Sequence, residues 1–300
     1  MIYTVTFNPA LDYVMNLKQL QYKDINRTES EQLYYGGKGI NVSVILSRLK
    51  VDNIALGFLA GFSGKKIEEM LNAENIKNDF VYLKKGYTRI NVKIKADEDY
   101  DINAQGPDIE LDELNALFDK FEKLKSGDLA GSIPNSLPDD IYEEILAKLQ
   151  NKGINFAVDA TGDLLLNVLK YKPFLIKPNH HELGDVFGVE VKTEKEIAYY
   201  AKKLQEMGAR NVLVSRSKDG ATLVDEFGEV HSMGNVPGKV LNPVGCGDSM
   251  VAGFVAGYSK THDYKYALKL GSACGNATAF CPGLADKDTI DKMLESEYLK

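Results

Sequence analysis

Short apolar runs alternate along the chain with longer segments in which apolar residues recur at helical spacing. The short runs are typical of buried strands, and the longer segments are typical of amphipathic helices. The predicted strands are Ile2–Phe7, Ile54–Leu59, Asn155–Asp159, Phe174–Lys177 and Val212–Ser215. The predicted helices are Ile40–Leu49, Lys65–Asn72, Leu111–Leu124, Ile141–Gln150, Glu194–Met207, Ser249–Tyr258 and Tyr264–Ala279. This order predicts an α/β fold, with a doubly wound, mostly parallel sheet and helices on both faces.

Two regions break this alternation, at residues 12–35 and 88–103. Between Arg89 and Lys95, polar and apolar residues alternate one by one, which is typical of a sheet with one face toward solvent or a ligand. We therefore predict a small β-sheet lid on the main body. No linker-like stretch divides the chain, so residues 1–300 are predicted to form one domain.

The segment that precedes Gly131 is short for a central strand. Only Leu129 and Ala130 stand between Asp128 and Gly131, whereas a strand usually has about five residues. The pattern therefore predicts that a central strand is cut short at this point.

Charge and composition exclude several function classes. The formal net charge of −7 argues against general nucleic-acid binding, which needs a basic face. No apolar run is long enough to span a membrane, and the N-terminus lacks the basic and apolar regions of a signal peptide. The three cysteines are an odd number without C-x-x-C spacing, which indicates reduced thiols in a cytoplasmic protein.

The stretch from Pro243 to Gly253 is the strongest candidate for chemistry. Gly245 and Gly247 allow a tight turn ahead of a helical pattern, and the free N–H groups of a helix N-terminus favour an anion. Asp248 is a carboxylate in the same turn, which suggests a base that works beside a phosphate during phosphoryl transfer. These residues alone also fit a helix-capping aspartate after a glycine turn.

A second glycine-rich turn, Gly36-Gly37-Lys38-Gly39, also precedes a helical pattern. Its N–H groups and the Lys38 ammonium group are suited to a polar ligand, although the start of a packed helix is the alternative. Neither turn fits the Walker A or the G-x-G-x-x-G pattern. Asp12 follows the first predicted strand, where ligands of parallel sheets bind, so it is positioned to accept hydrogen bonds from sugar hydroxyls. An exposed turn aspartate is the alternative.

Other candidates lie in the lid segments and after two further strands. Arg27 and Arg89 are suited to bidentate phosphate binding, with surface arginines as the alternative. Asn179 and Glu182 are suited to holding water around Mg²⁺, with a helix cap at Asn179 as the alternative. The polar turn after Ser215 offers hydroxyl and backbone donors to ATP phosphates.

Taken together and in this order, the motifs resemble the PfkB branch of the ribokinase-like sugar kinases over essentially the whole chain. The matching segments are Asn8–Asp12, Gly36–Asn41, Thr88–Lys93, Gly131–Pro134, Lys177–Glu182, Val214–Ala221 and Gly245–Ser249. The resemblance implies an ATP-dependent kinase of a sugar hydroxyl, with a doubly wound α/β body and a β-sheet lid.

The resemblance also implies roles for individual residues. Asp248 is expected to be the catalytic base, and the N–H groups of Gly245, Cys246 and Gly247 are expected to form an anion hole. The residues expected to bind the substrate are Asp12, Arg27, Gly36, Gly37, Lys38, Asn41, Arg89, Asn91 and Ser132. The residues expected to bind ATP are Lys177, Asn179, Ser215, Gly220, Gly245, Gly247 and Asn276. Asn179 and Glu182 are expected to organise Mg²⁺ through water, and many family members also use K⁺ near the anion hole.

The resemblance narrows the substrate to a ketohexose phosphate. The run Thr88–Lys93 is similar to the subgroup that acts on hexose phosphates, and Ile176–Leu183 is most similar to bacterial 1-phosphofructokinases. This favours fructose 1-phosphate, phosphorylated at its 6-hydroxyl to fructose 1,6-bisphosphate. The run Asn242–Gly245 also resembles tagatose-6-phosphate kinase, so that activity, or 6-phosphofructokinase activity, is the alternative. A non-catalytic sugar-phosphate-binding protein is a minor alternative, suggested by the short strand before Gly131.

Two departures from the family pattern affect the expected site. Cys246 replaces a usual Ala or Ser, although its backbone N–H is retained. Arg216 and Lys218 replace a small, apolar stretch, which predicts altered nucleotide contacts. The expected partners are the sugar phosphate and ATP, without nucleic acid or membrane. Exposed lid strands favour pairing with a second copy, which predicts a homodimer through the lid.

Overall fold

The computed structural model describes residues 1–125, 129–134, 139–159 and 162–299, of which 129–134, 139–142 and 149 are described by their backbone only. The strands are β1 (Ile2–Thr6), β2 (Ala10–Asn16), β3 (Ser30–Gly36), β4 (Asn53–Ala60), β5 (Val81–Leu83), β6 (Arg89–Lys95), β7 (Asp99–Ile102), β8 (Leu129–Pro134), β9 (Asn155–Asp159), β10 (Leu175–Ile176), β11 (Asn211–Ser215), β12 (Ala221–Val224) and β13 (Val230–Met233). The helices are α1 (Lys38–Arg48), α2 (Gly61–Ala73), α3 (Leu111–Phe121), α4 (Asp139–Asn151), α5 (Gly162–Leu169), α6 (His180–Phe187), α7 (Glu194–Glu206), α8 (Cys246–Thr261), α9 (Tyr264–Ala279) and α10 (Lys287–Leu294).

The main sheet has nine strands in the order β13-β12-β11-β10-β9-β8-β1-β4-β5. Every pair from β11 to β5 is parallel, and β12 and β13 add an antiparallel hairpin at one edge. Parallel strands need crossover helices, which cover the sheet. The predicted α/β fold with a mostly parallel sheet is therefore confirmed.

The apolar core lies on both faces of the main sheet. Val212 and Val214 of β11 contribute to one buried cluster, whereas Leu213 between them contributes to another that includes the inner sides of α8 and α9. Because successive side chains of a strand point to opposite faces, the two clusters lie on opposite sides. None of the described helices is both long and apolar enough to cross a membrane.

A second sheet of four strands, in the order β3-β2-β6-β7, stands apart from the main one. It is built from the two segments in which the sequence predicts lid strands, and its central pair, β2 and β6, is parallel. A third apolar cluster joins Leu11 of β2 to Ile40 and Val44 of α1 and to Leu59 of β4. The second sheet is thereby attached to the main body at the start of α1.

Several elements differ from the sequence prediction. Helix α8 begins at Cys246 rather than at Ser249, because Gly245 adopts a left-handed conformation with φ of 81° and serves as its N-cap. The hairpin of β12 and β13 and helices α5, α6 and α10 were not predicted from the pattern. Helix α10 is short and begins at the capping side chain of Asp286, which accepts a hydrogen bond from the N–H of Thr289 at 2.8 Å.

The prediction of a central strand cut short at Gly131 is wrong. Strand β8 continues from Leu129 to Pro134 and pairs with β1 on one side and β9 on the other. The register with β9 shifts between Ala130 and Ile133. An irregularity of this kind absorbs an extra residue, and two flanking strands supply hydrogen bonds that a local pattern does not reveal.

Gly57 in β4 of the main sheet is predicted to tolerate replacement poorly. It lies in β4 opposite Thr6, with φ of 138°, and a Cβ added there would lie 2.0 Å from the Thr6 carbonyl oxygen. Gly57→Ala should lower the free energy of unfolding by about 3 kcal/mol or more, because backbone strain and overpacking add. Urea and thermal unfolding measure this loss.

Gly228→Ala is the matched control. Gly228 also has a positive φ, of 80°, but a Cβ there would meet nothing within 4 Å. Its replacement should therefore lower the free energy of unfolding by only about 1 kcal/mol. Equal losses for the two variants would contradict the steric explanation.

Candidate active site

The two predicted glycine turns meet at the carboxyl edge of the main sheet. Gly37 is the N-cap of α1, and Gly245 is the N-cap of α8. Asn41 in α1 donates a hydrogen bond from Nδ2 to Oδ2 of Asp248 in the first turn of α8, at 2.8 Å. Two helix N-termini, with their free N–H groups and positive dipole ends, therefore converge on one space.

Asp159 lies between the two ammonium groups of this space. Its Oδ2 is 2.7 Å from Nζ of Lys38, and its Oδ1 is 3.9 Å from Nζ of Lys177. Burial raises the pKa of Asp159, but the charges of Lys177 and Lys38 outweigh burial, so that pKa lies below its ordinary value. Burial lowers the pKa of Lys38, but the Asp159 carboxylate outweighs it and keeps that pKa above its ordinary value.

Asp159 is a site residue that the sequence analysis missed. It is the last residue of the predicted strand Asn155–Asp159, and the available signal was a carboxylate at the carboxyl end of a parallel strand. The two cations that meet it lie 121 positions earlier, at Lys38, and 18 positions later, at Lys177. Nothing local in the sequence connects the three.

Asp248 titrates close to neutral pH. Burial raises its pKa from 3.8 to about 6, and the negative charge of Asp159 adds to that effect. The hydrogen bond from Asn41 and the charges of Lys177 and Lys38 act in the opposite direction without cancelling it. A carboxylate of this basicity is suited to accept a proton from a hydroxyl group near neutral pH.

The thiol of Cys246 plays no anionic part in the turn. Burial, followed by the charge of Asp248, raises its pKa to about 11. Its Sγ lies 3.6 Å from the carbonyl oxygen of Asn242, as a weak donor. The residue therefore offers the site its backbone N–H.

The second sheet contributes a further polar group centred on Asp12. Asn91 in β6 donates from Nδ2 to Oδ1 of Asp12 at 2.8 Å, and Nζ of Lys93 lies 3.3 Å from Oδ2. Gly36 lies against the same carboxylate, because a Cβ there would be 3.3 Å from both oxygens. Lys93 has no predicted role from the sequence, although its position two residues after Asn91 puts both on one face of β6.

Arg89 lies on that face as well, two residues before Asn91. Its Nη1 donates to the carbonyl oxygen of Ala104 at 3.4 Å, and its shielded Nε has no partner among the described residues. Burial lowers the pKa of Arg89 more than the charge of Asp12 raises it. A half-buried guanidinium with an unpaired donor is suited to an anionic ligand.

Arg27 does not join this group within one chain. It is exposed in the segment between β2 and β3 and forms no hydrogen bond or ion pair with any described residue. Ser132 lies in β8, in the part of the chain described by its backbone only.

Asn179 and Glu182 form a capping box at the start of α6. Asn179 Oδ1 accepts from the N–H groups of His181 and Glu182 at 2.9 Å each, and Glu182 Oε2 accepts from the N–H of Asn179 at 2.7 Å. The capping alternative is therefore realised. The Asn179 amide oxygen is engaged, and the second carboxylate oxygen of Glu182 is the better remaining metal ligand.

The donor set around Lys38 fits a hydrated divalent cation. The negative charges of Asp159, Asp248 and Glu182 each raise the pKa of Lys38, so all three carboxylates lie within electrostatic range of this ammonium group. Carboxylate oxygen is the ligand that Mg²⁺ prefers, and Mg²⁺ usually retains several waters. Asn179 and Glu182 therefore fit a role through water better than direct coordination by both.

The remaining predicted ATP residues lie beside α6 and in α9. Ser215 ends β11 and forms an isolated parallel bridge with Asn179, and Gly220 directly precedes β12 with φ of 90°. Asn276 is buried in α9, where its Oδ1 accepts from the N–H of Val236 at 3.0 Å and its Nδ2 donates to the Ser272 carbonyl oxygen at 2.8 Å. Its side chain thus holds the segment after β13 against α9.

Asp248→Asn is predicted to stabilise the protein above neutral pH. The folded-state pKa is raised, so the ionised carboxylate opposes folding above pH of about 6, and this cost disappears as pH falls toward 3.8. The uncharged amide should raise the free energy of unfolding by up to about 3 kcal/mol at pH of about 8 and by clearly less at pH of about 5. Unfolding measured at both pH values checks this.

Asp112→Asn is the control for that experiment. Asp112 is an exposed carboxylate whose pKa is lowered by its hydrogen bond to Lys84, so its ionised form favours folding and its replacement should not stabilise the protein. An Asp248→Asn protein no more stable than wild type at pH of about 8 would contradict the prediction.

The known proteins similar to this chain include carbohydrate kinases. The family model for pfkB family carbohydrate kinases matches residues 5–291. The chain is 44% identical to a 1-phosphofructokinase of Bacillus subtilis, covering 98% of this chain and 97% of that protein. It is 37% identical to a D-tagatose-1-phosphate kinase of Bacillus licheniformis, covering 97% of each, and 34% identical to a tagatose-6-phosphate kinase of Staphylococcus epidermidis, covering 98% of each.

A solved structure has the same fold as this chain. The fold matches that of a putative phosphofructokinase from Staphylococcus aureus with a TM-score of 0.87 and 40% identity, covering 98% of this chain and 96% of that one. The resemblance found in the sequence is therefore confirmed, and the chain belongs to the PfkB family of carbohydrate kinases.

Proposed function

We propose that the protein transfers the γ-phosphoryl group of ATP to the 6-hydroxyl of fructose 1-phosphate, giving ADP and fructose 1,6-bisphosphate. The observation that carries the proposal is the Asn41–Asp248 hydrogen bond. It holds a carboxylate with a pKa of about 6 in the first turn of α8, beside free N–H groups that favour a phosphate. A base next to an anion site is the arrangement that phosphoryl transfer to a hydroxyl requires.

In the proposed reaction, Asp248 accepts the proton of the sugar 6-hydroxyl while the oxygen of that hydroxyl bonds to the γ-phosphorus. The bond between that phosphorus and the bridging oxygen of ADP breaks, and the electron pair leaves with ADP. The N–H groups of Gly245, Cys246 and Gly247 stabilise the negative charge of the transferring group, aided by the α8 dipole.

The ammonium group of Lys177 extends the positive environment of the nucleotide phosphates, and that of Lys38, an expected substrate contact, lies beside it across Asp159. Kinases of this family generally use ATP with a divalent metal, and Mg²⁺ would neutralise phosphate charge here, organised by Asn179 and Glu182 through water. Ser215 and Gly220 belong to the same proposed nucleotide site. A requirement for K⁺ near the anion hole, which the family resemblance implies, is part of the proposal.

The second sheet supports a phosphorylated sugar as the acceptor. Asp12 is an acceptor for sugar hydroxyls, and Asn91 and Lys93 hold its two oxygens in place. The guanidinium group of Arg89, which lies on the same face and level with Gly36 across β2, is proposed to bind the substrate's own phosphate. Identity to the 1-phosphofructokinase of Bacillus subtilis favours fructose 1-phosphate over the tagatose phosphates, which remain the alternative.

A non-catalytic binding protein has lost its main support. That alternative rested on a central strand cut short at Gly131, whereas β8 extends to Pro134. Asp248, the Gly245–Gly247 turn and the ammonium groups of Lys38 and Lys177, on which the proposed catalysis rests, all lie among the described residues.

We also propose that two copies associate through the second sheet in the cytoplasm. Strands β3 and β7 are its free edges, and the exposed apolar side chains of Leu33, Tyr100 and Ile102 lie on them. Arg27 lies in the exposed segment before β3 and is available to a second copy. Light scattering at defined concentration tests this association.

The substrate is tested by comparing fructose 1-phosphate, fructose 6-phosphate, tagatose 1-phosphate and tagatose 6-phosphate in one coupled assay of ADP release. Fructose 1-phosphate should give the highest kcat/KM. Arg89→Ala should raise the KM for it about tenfold or more, because a charge-assisted contact to phosphate is lost. Asp248→Asn should lower kcat by about a factor of 10³ and controls for contaminating kinases.

Two outcomes would overturn the substrate assignment. A higher kcat/KM for a tagatose phosphate or for fructose 6-phosphate would identify that compound as the preferred substrate in place of fructose 1-phosphate. An unchanged KM in Arg89→Ala would indicate that the substrate's phosphate does not bind the second sheet.

The dependence of kcat on pH tests the base. Since Asp248 must be ionised, kcat should rise with pH through about 6. Asp159→Asn removes the negative charge that raises the pKa of Asp248 and leaves Lys38 and Lys177 unpaired. The acidic limb should therefore move down by about one pH unit or more, whatever the change in maximal kcat.

The phosphate groups of the substrates also titrate in this pH range, but they do so equally in assays of the wild-type and the Asp159→Asn enzyme. A difference between the two pH profiles of kcat therefore arises from the protein. An acidic limb at the same pH in both would mean that Asp248 is not the group being titrated.

A further inference from the structure

Arg48, the last residue of α1, joins three segments that the proposed mechanism needs in register. Its Nη1 donates to the carbonyl oxygens of Leu284 at 2.6 Å and Ala285 at 3.0 Å. Its Nη2 lies 2.9 Å from Oε2 of Glu74, directly after α2. The other oxygen of Glu74 accepts from the hydroxyl of Tyr35 in β3 at 2.7 Å. One guanidinium group thus links the second sheet to the segment between α9 and α10.

The far ends of this link lie beside the two halves of the site. Tyr35 precedes Gly36 and pairs in register with Leu11, the neighbour of Asp12. At the other end, the Leu284 side chain covers the N-cap of α8, because a Cβ on Gly245 would lie 2.7 Å from its Cδ2.

A second hydrogen-bonded path leads from the same segment into α8. The N–H of Ala285 donates to Oγ1 of Thr278 at 3.2 Å, and that hydroxyl lies 2.8 Å from Oγ of Ser249. Ser249 directly follows Asp248. The Leu284–Ala285 segment, whose carbonyls accept from Arg48, is therefore connected to the turn at Gly245–Asp248 both through packing and through hydrogen bonds.

We propose that Arg48 is a positioning residue that keeps the sugar-holding end of the second sheet in register with the phosphate turn at Gly245–Asp248. The inference rests on the proposed kinase function. Its guanidinium touches no reacting atom, and it acts through Tyr35, Glu74 and the Leu284–Ala285 carbonyls. A planar fork directs separate N–H groups at the two carbonyls and at the carboxylate, whereas the three donors of a lysine ammonium group radiate from one nitrogen and do not reproduce that spread. Small misplacements of reacting groups reduce turnover more than they reduce binding.

Arg210 provides a matched control for a merely structural role. Its Nη2 lies 2.6 Å from Oε2 of Glu226, and its Nη1 donates to Oδ1 of Asn155 at 2.7 Å. It is partly exposed, as Arg48 is. Asn155 begins β9, so Arg210 lies at the amino edge of the main sheet, opposite the candidate active site.

The test compares Arg48→Lys with Arg210→Lys in steady-state kinetics and thermal unfolding. Arg48→Lys should lower kcat by about 10- to 100-fold with less than about threefold change in the KM of sugar phosphate and of ATP. Arg210→Lys should lose a similar amount of thermal stability and keep kcat within about twofold. Glu74→Gln and Tyr35→Phe should also reduce kcat. These two variants should fold, and they provide the test if Arg48→Lys does not fold.

A double variant adds a second criterion. Because Arg48 and Glu74 belong to one link, Arg48→Lys with Glu74→Gln should lower kcat by little more than the worse single change, rather than by the product of the two.

The outcomes separate the inference from the proposed function. An active wild-type enzyme together with an unchanged kcat in Arg48→Lys, or in both Glu74→Gln and Tyr35→Phe, overturns the positioning role alone. Equal losses of kcat in Arg48→Lys and Arg210→Lys overturn it as well. No turnover by the wild-type protein with any of the four sugar phosphates overturns the proposed function, and the inference with it.

Discussion

The hydrogen bond from Asn41 to Asp248 is the contact on which the geometry of the site depends. It spans 207 positions of sequence and joins the first turns of two helices that begin at the same edge of the sheet. Each helix N-terminus by itself favours an anion, as many do. Their convergence concentrates free N–H groups and dipole ends in one space and holds the Asp248 carboxylate among them. A general affinity for anions becomes an arrangement suited to moving a phosphoryl group.

The charges beside that bond explain why two buried carboxylates titrate differently. Asp159 lies between Lys38 and Lys177, so its pKa lies below the ordinary value and it stays ionised. Burial and the negative charge of Asp159 disfavour the ionised form of Asp248, so its pKa rises to about 6. Neighbouring acids whose environments separate their pKa values in this way take different chemical roles. One is a fixed counterion for two ammonium groups, and the other is able to exchange a proton near neutral pH.

The second sheet supplies the groups proposed to bind the sugar phosphate, and these groups are useful only if the sheet is held rigidly on the main body. Asp12, Asn91, Lys93 and Arg89 form one polar face, yet they belong to a sheet that contacts the main body through few elements. Leu11 packs into the cluster that includes α1, and the link through Arg48 reaches the segment that backs Gly245. A sugar held by one sheet must meet a phosphoryl group held by the other to within a few tenths of an ångström. The attachments between the sheets are therefore as important to the reaction as the groups that touch substrate.

The sequence by itself determined the fold class and the family, and it supplied most of the candidate site residues as predictions. These predictions rest on local features: strand and helix periodicity, glycine turns before helices and the alternation from Arg89 to Lys95. Local features can be recognised in the sequence without a structure. Only the tertiary structure decided which of these features meet. The pairing of Asp159 with Lys38 and Lys177, the extension of β8 beyond Gly131 and the pKa of Asp248 all depend on neighbours distant in sequence. Strand order and burial set those neighbours, and neither is encoded in any short stretch of residues.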